Sequence, residues 1–374
     1  MDRVNKMNVF YRDRPVGTMA LFRNRLAAFE YDREWLNDGF SISPFSLPLE
    51  KQVFLPNLDP FEGLFGVFAD SLPDGWGRLL VDRLMRRNGL DPQTVGNLER
   101  LAIVGEAGMG ALTYRPVISM GNTQDMLTLD EIAAECGRIL NEEPSENLDY
   151  LFAHGGSSGG ARPKILTRVD EEDWIIKFPS SGDARNIGRQ EYDYALCAVA
   201  CGLQMERVRL FPSKTTAGYF GTKRFDRVSG EECGKIHMVS ASGLLETSHR
   251  IPNLDYDTLM RLTLQLTKSM EECEKLYRLM CFNVFAHNRD DHFKNFTYLY
   301  REDEERWVLS PAYDLTYSSS IGGEHATTIN GNGANPEMSD ILTVAKRIGL
   351  NVTKAKKIAE EIRECVGEML RDYL

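Results

Sequence analysis

A chain of 374 residues exceeds what one hydrophobic core usually organises, so two or three structural units are expected. With 42% hydrophobic and 26% charged residues the composition is that of a soluble globular protein, and no run approaches the roughly 18 to 20 apolar residues of a membrane-spanning helix. A net charge of −11 opposes a large electrostatic footprint on nucleic acid, so any contact with DNA is expected to pass through a basic partner.

The opening Met1-Asp-Arg-Val-Asn-Lys-Met-Asn8 lacks the apolar region of a secretory signal, and a cytoplasmic location is expected. Short strand patterns at 8–11, 16–21 and 26–31, separated by turn-sized polar gaps, predict an antiparallel meander. Ser71-Leu-Pro-Asp-Gly-Trp-Gly-Arg78 then reads as a Gly- and Pro-rich turn entering a helix at Leu79. Residues 1–118 are thus expected to form an α+β subdomain.

Residues 117–127 read as a polar connector, after which Thr128-Leu-Asp-Glu131 matches a capping box. Leu129, Ile132, Ala133, Cys136, Ile139 and Leu140 follow at helical spacing, and Glu142-Glu-Pro144 ends the helix. Next comes Gly155-Gly-Ser-Ser-Gly-Gly-Ala-Arg-Pro-Lys-Ile165. Small residues let backbone amides approach an anion closely, so this run suits nucleotide phosphates, although it is not a Walker A sequence and such runs also serve as linkers.

Lys177 interrupts the apolar strand Ile175-Ile-Lys-Phe178, where an unpaired ammonium would be costly. A helical stretch carrying Glu191 follows. A strand lysine before a helix glutamate reproduces the ion pair that sets a kinase lysine on the α and β phosphates. Strands are predicted around 208–211 and 219–225, and residues 119–227 are expected to form a kinase N-lobe.

Beyond 227 the chain reads as helical: 256–269, 272–286, and 353–372 with an apolar stripe of Ala355, Ile358, Ala359, Ile362, Cys365, Val366 and Met369. Between the last two lie Asp290-Asp-His-Phe-Lys-Asn295 and Ser310-Pro-Ala-Tyr-Asp314. Asp290 and Asn295 have the spacing of the catalytic Asp and metal-binding Asn in a protein-kinase loop, and Asp314 follows where a second metal-binding carboxylate belongs. Taken singly these are ordinary turn formers; in combination with the upstream half they indicate phosphoryl transfer. The fold class is α+β, a bilobal protein-kinase-like fold with an all-helical C-lobe over 228–374.

The seven cysteines, at 136, 197, 201, 233, 273, 281 and 365, include no C-x-x-C and read as reduced thiols. Cys197 and Cys201 share a helical face at i, i+4, but no third ligand lies nearby in sequence. Core packing is the favoured reading, and zinc is not expected.

The chain resembles the HipA family of bacterial serine/threonine kinases, the toxins of type II toxin-antitoxin modules. The resemblance runs through Ser71 to Arg78, Ser157-Ser-Gly-Gly-Ala-Arg-Pro-Lys164, Lys177, Lys223-Arg-Phe-Asp-Arg227, Asp290 to Asn295 and Ser310 to Asp314. It implies ATP and Mg2+ as cofactors. Asp290 would be the catalytic base, supported by Lys294 and Lys177, with Asn295 and Asp314 holding magnesium. Ser157, Ser158, Gly159, Gly160, Lys164, Lys177, Lys223, Phe225, His292, Asn295 and Asp314 would bind the nucleotide. Ser157 matches the serine that such kinases phosphorylate in themselves, with Ser158 beside it as the competing hydroxyl. A protein substrate, a helix-turn-helix antitoxin of the HipB type, DNA contact only through that antitoxin, and no membrane complete the expectation.

One departure is His237-Met-Val-Ser-Ala-Ser-Gly-Leu244, which stands where relatives carry an acidic, aromatic segment and points to a different substrate choice. A small-molecule kinase and a non-catalytic corepressor are the alternative readings.

Overall fold

The computed structural model describes residues 3–120, 127–228, 234–248, 254–320 and 322–374. Cys233 and the middle of the expected connector lie outside them. The chain forms two compact units: Met1–Gly188 with Leu210–Val239 and Gly243–Thr247, and Arg189–Arg209 with Ser240–Ser242 and Ser248–Leu374.

The first unit opens with the meander β1 (Lys6–Tyr11), β2 (Arg14–Phe22) and β3 (Leu26–Tyr31), followed by α1 (Trp35–Asp38), β4 (Val53–Phe54), α2 (Gly66–Ala69), α3 (Gly75–Arg87), α4 (Asn97–Val104) and β5 (Leu112–Arg115). Its sheet runs β4-β3-β2-β1-β5, with Met19 opposite Phe29 and Val9 opposite Tyr114. Strand alternation buries Met7, Val9 and Tyr11 on one face and leaves Lys6 and Asn8 exposed. Gly17 is a close-approach position, since a Cβ there would meet the Glu30 carbonyl at 2.3 Å.

Then come α5 (Leu129–Leu140), α6 (Leu148–Gly155), β6 (Lys164–Val169), β7 (Glu172–Lys177), α7 (Ile187–Ala200), β8 (Val208–Phe211) and β9 (Tyr219–Lys223). The capping box before α5 is present, with Thr128 and Glu131 bonding each other's backbone. The second sheet runs β6-β7-β9-β8. Its core joins Trp76 and Leu80 of α3, Ile132 and Cys136 of α5 and Leu151 of α6 to Ile165, Ile176 and Tyr219.

After β10 (Met238–Ser240) and α8 (Ala241–Leu244), the second unit continues with β11 (Leu254–Asp255), α9 (Tyr256–Thr267), α10 (Met270–Phe285), β12 (Thr297–Arg301), β13 (Arg306–Leu309), β14 (Thr327–Thr328), α11 (Met338–Ile348) and α12 (Val352–Met369). Asp255, Ser269 and Asn351 cap α9, α10 and α12 through side-chain acceptors. The expected stripe on α12 buries Ala355, Ile358, Ala359, Ile362 and Val366, whereas Met369 is exposed.

The expectation of an all-helical C-lobe needs correction. β12 and β13 form an antiparallel hairpin from Tyr298/Leu309 to Arg301/Arg306, and β11 pairs in parallel with β14. Aromatic and β-branched residues in Thr297-Tyr-Leu-Tyr and Arg306-Trp-Val-Leu favour the pleat, and the acidic stretch 302–305 forms the turn. Among the described residues no helix is long and apolar enough to cross a membrane.

Candidate active site

The expected site residues fall into two groups, one in each unit. In the first, Lys164 opens β6 directly opposite Lys177, the last residue of β7. Both are buried at 8% exposure. Opposed residues share a sheet face, where like charges repel, and burial adds a desolvation cost to each ammonium. A nearby anion would offset both. Lys177 Nζ stands 5.6 Å from the centre of the Phe220 ring, and Lys164 Nζ donates to Gly159 O at 2.6 Å.

The Gly/Ser run between α6 and β6 is seated on the turn before α3. The Asp74 carboxylate accepts from Gly160 N. Trp76 N donates to Gly160 O at 2.9 Å, and its indole donates to Lys164 O at 3.0 Å. Two glycines permit this contact: a Cβ on Gly75 would meet Gly160 O at 2.3 Å, and one on Gly77 would meet Ser158 O at 2.2 Å. The two loop serines differ. Ser158 is buried with its hydroxyl donating to Gly155 O at 2.6 Å, whereas half-buried Ser157 donates to Ala107 O at 2.8 Å.

At the end of β9, Lys223 Nζ pairs with Glu172 at 3.1 Å, and Phe225 lies in the turn that follows. Asp226 anchors this connection. Fully buried, it accepts from Arg224, from Arg227 at 2.7 Å and from Gly110 N at 2.7 Å. Burial alone would raise its carboxyl, but the charges of Arg224 and Arg227 outweigh that and hold it well below the usual carboxylate range. His237 is buried too, its Nε2 donating to Ile42 O at 2.8 Å, and Ser240 and Ser242 are likewise buried. These three residues of the 237–244 segment are therefore interior, not a displayed recognition surface.

In the second unit α10 delivers the chain into the loop at Asn288. Asp290 is 63% exposed at its side chain, with His292 Nε2 at 3.8 Å. Asp291 is the reverse. Its buried carboxylate accepts from Tyr256 Oη at 2.9 Å, His325 Nδ1 at 3.0 Å and Thr327 N at 3.2 Å, and its carbonyl accepts from Thr327 Oγ1. The network continues from Tyr256 to Asn283 and on to Asn288.

Asn295 Nδ2 donates to Asp290 O at 2.8 Å, which ties the amide to the backbone of the exposed aspartate. Tyr313 Oη donates to Lys294 O at 2.8 Å and bonds Thr297 Oγ1 at 2.7 Å, so the residue before Asp314 is tied to the loop. Asp314 is half-buried and adopts a left-handed φ of 59°, which Asp tolerates better than most residues. Glu191, the acid expected to serve Lys177, is buried on α7 in this unit.

The donors fit the expected cofactor. In the second unit, an amide oxygen on Asn295 and a carboxylate on Asp314 are hard oxygen ligands of the kind magnesium takes; in the first, Lys164 and Lys177 are cations of the kind that pair with phosphates. The contacts of Asp74 with Gly160 and of Asp291 with His325 join residues far apart in sequence. His325 lies 34 residues from Asp291 and has no local pattern that marks it.

Residues 7–115 match the family model of the HipA N-terminal domain, and residues 156–370 match that of the HipA-like C-terminal domain. A Sinorhizobium fredii protein named "Putative kinase Y4mE" is 25% identical over 387 residues, covering 96% of this chain and 84% of that protein. Among solved structures, HipA of Shewanella oneidensis MR-1, in a complex with HipB and operator DNA, aligns with a TM-score of 0.72 at 16% identity. That alignment covers 98% of this chain and 90% of that one.

Proposed function

Since the chain belongs to the HipA family, we propose that it is an ATP- and magnesium-dependent kinase that phosphorylates a serine or threonine hydroxyl of a protein. The observation that carries this reading is the division of labour between two adjacent aspartates. Asp291 is locked in a buried network that holds the loop, and exposed Asp290 is thereby presented to an incoming hydroxyl.

In this reading Asp290 accepts the proton of the attacking hydroxyl, and Lys294 supports the charge that develops. Asn295 and Asp314 hold magnesium, which when bound neutralises charge on the transferring phosphate. Lys164, Lys177 and the backbone of 157–160 bind the phosphates, with His292 beside the catalytic aspartate. Lys223 and Phe225 meet the adenine through their backbones.

Ser157 is the proposed site of self-phosphorylation. Its hydroxyl is half-buried where that of Ser158 is enclosed, and a dianionic group there would be repelled from the nucleotide phosphates and silence the kinase. A small helix-turn-helix antitoxin of the HipB type is the proposed partner, and it would carry this acidic chain to DNA. A cytoplasmic location fits that role.

The substrate class is tested by incubating the purified chain with a cell extract and γ-labelled ATP, with magnesium and with a chelator. Magnesium-dependent label on serine or threonine of protein supports the proposal. Rapid ATP turnover on aminoglycosides or sugars, with no labelled protein, overturns it in favour of a small-molecule kinase.

A further inference from the structure

Cys197 and Cys201 stand one turn apart on or next to α7, and the fold brings Cys365 of α12 against them. The three sulfurs all lie within 4.8 Å of one another, with Cys197 and Cys201 at 4.0 Å. Among the described residues this is the group of close metal-ligating side chains that the phosphoryl-transfer reading does not use. The i, i+4 pair offers two sulfurs from one helical face, the spacing by which helical metal sites seat two ligands. The facing helix supplies the third.

The dimensions suit an ion. With a metal–sulfur distance of about 2.3 Å, three sulfurs in a trigonal plane stand about 4.0 Å apart. Closing the group around an ion therefore needs sub-ångström shifts of sulfur positions. A disulfide would use two sulfurs and leave the third.

A fourth soft donor adjoins the group. Met369 Sδ lies 3.7 Å from Cys365 Sγ and the methionine is exposed, so this corner of the cluster reaches solvent and supplies a route of entry. Cys197 and Cys201 are buried, whereas Cys365 is half-buried. Thiolate and thioether donors without carboxylate select thiophilic ions over magnesium or calcium.

We propose that Cys197, Cys201 and Cys365 bind one thiophilic d10 metal ion, Zn2+ or Cu+, which joins α7 to the C-terminal helix. Each coordinating thiol releases its proton to solvent, and no electron is transferred. The proposal is independent of the kinase reading, although α7 also carries Glu191, so occupancy would stiffen a helix the kinase uses.

The test uses the full chain, reduced, freed of metal and kept under anaerobic conditions. It is titrated with Zn2+ against a chromophoric chelator and separately with Cu+ against a Cu+-selective chelator. The expected result is one equivalent of at least one ion, a rise in thermal midpoint, and X-ray absorption fitted by three sulfurs at about 2.2–2.3 Å. Whichever ion binds more tightly identifies the ligand.

Cys365→Ser, at the half-buried position, should lower affinity at least tenfold while the chain stays folded. Cys273→Ser, at a buried thiol outside the group, should bind as the wild type does. Less than a tenth of an equivalent of both ions on the wild type overturns the proposal, as does an absorption spectrum with fewer than three sulfurs or equal affinity in Cys365→Ser. Because the absorption measurement needs no variant, the outcome stands even where a cysteine substitution impairs folding.

Discussion

The neighbouring carboxylates of Asp290 and Asp291 occupy opposite environments: the first is 63% exposed beside His292, the second fully buried against His325 and Tyr256. Their substitutions should separate accordingly. Asp291→Asn leaves buried donors poorly matched and should lower unfolding free energy by about 2–4 kcal/mol. Asp290→Asn should change stability by less than about 0.5 kcal/mol, as an exposed substitution does. Denaturant midpoints of the two variants check this, and equal destabilisation would contradict the assigned roles.

Lys164 and Lys177 oppose one another on β6 and β7, so each raises the cost of keeping the other charged and buried. Lys177→Met and Lys164→Met should therefore leave the ligand-free chain within about 1 kcal/mol of wild-type stability. Both should remove most of the rise in thermal midpoint that ATP and magnesium produce. A variant that binds ATP as the wild type does would show that the lysine pair serves something other than phosphate.

The seat of the Gly/Ser loop gives a third expectation. Gly77→Ala sets a methyl group 2.2 Å from Ser158 O, which backbone must move to accommodate, and Asp74→Ala removes the acceptor for Gly160 N. Hydrogen exchange over 156–161 should rise in both variants, with the larger effect and a stability loss of about 2 kcal/mol or more for Gly77→Ala. Where the chain modifies itself, peptide mapping should find phosphate on Ser157, not Ser158. Unchanged exchange in both variants would mean the loop is held elsewhere.

Acid stability should report His237. Burial lowers this histidine from 6.5 to about 4. A depressed histidine pKa favours the neutral ring in the folded state, so its contribution is complete above pH 6.5 and is lost as pH falls toward 4. The slope is about 1.4 kcal/mol per pH unit and the total about 3 kcal/mol. Asp226, depressed by its two arginines, adds a further loss only below its ordinary value of 3.8. Denaturant unfolding of His237→Gln across pH 4–7 should be flatter than that of the wild type by about one proton; an unchanged slope would refute the assignment.

What could be read from the sequence was what repeats locally. The antiparallel meander, the Thr128 to Glu131 capping box and the apolar stripe of α12 as far as Val366 stand where the sequence placed them. The hairpin Thr297 to Leu309 was missed because it sits between strongly helical segments and its strands have five and four residues. Site partners remote in sequence left no trace. Ser71 to Arg78 read as a helix entry because nothing local reports that Asp74 meets Gly160, which lies 86 residues on. For the same reason the sequence does not show that Cys365 lies beside Cys197 and Cys201.

The most direct test of the central proposal is transfer of labelled γ-phosphate from ATP to protein by the wild type and by Asp290→Asn, with both shown to be folded and to bind ATP. Incorporation should fall at least a hundredfold in Asp290→Asn while ATP binding is kept. Equal incorporation by the two proteins would contradict the proposal.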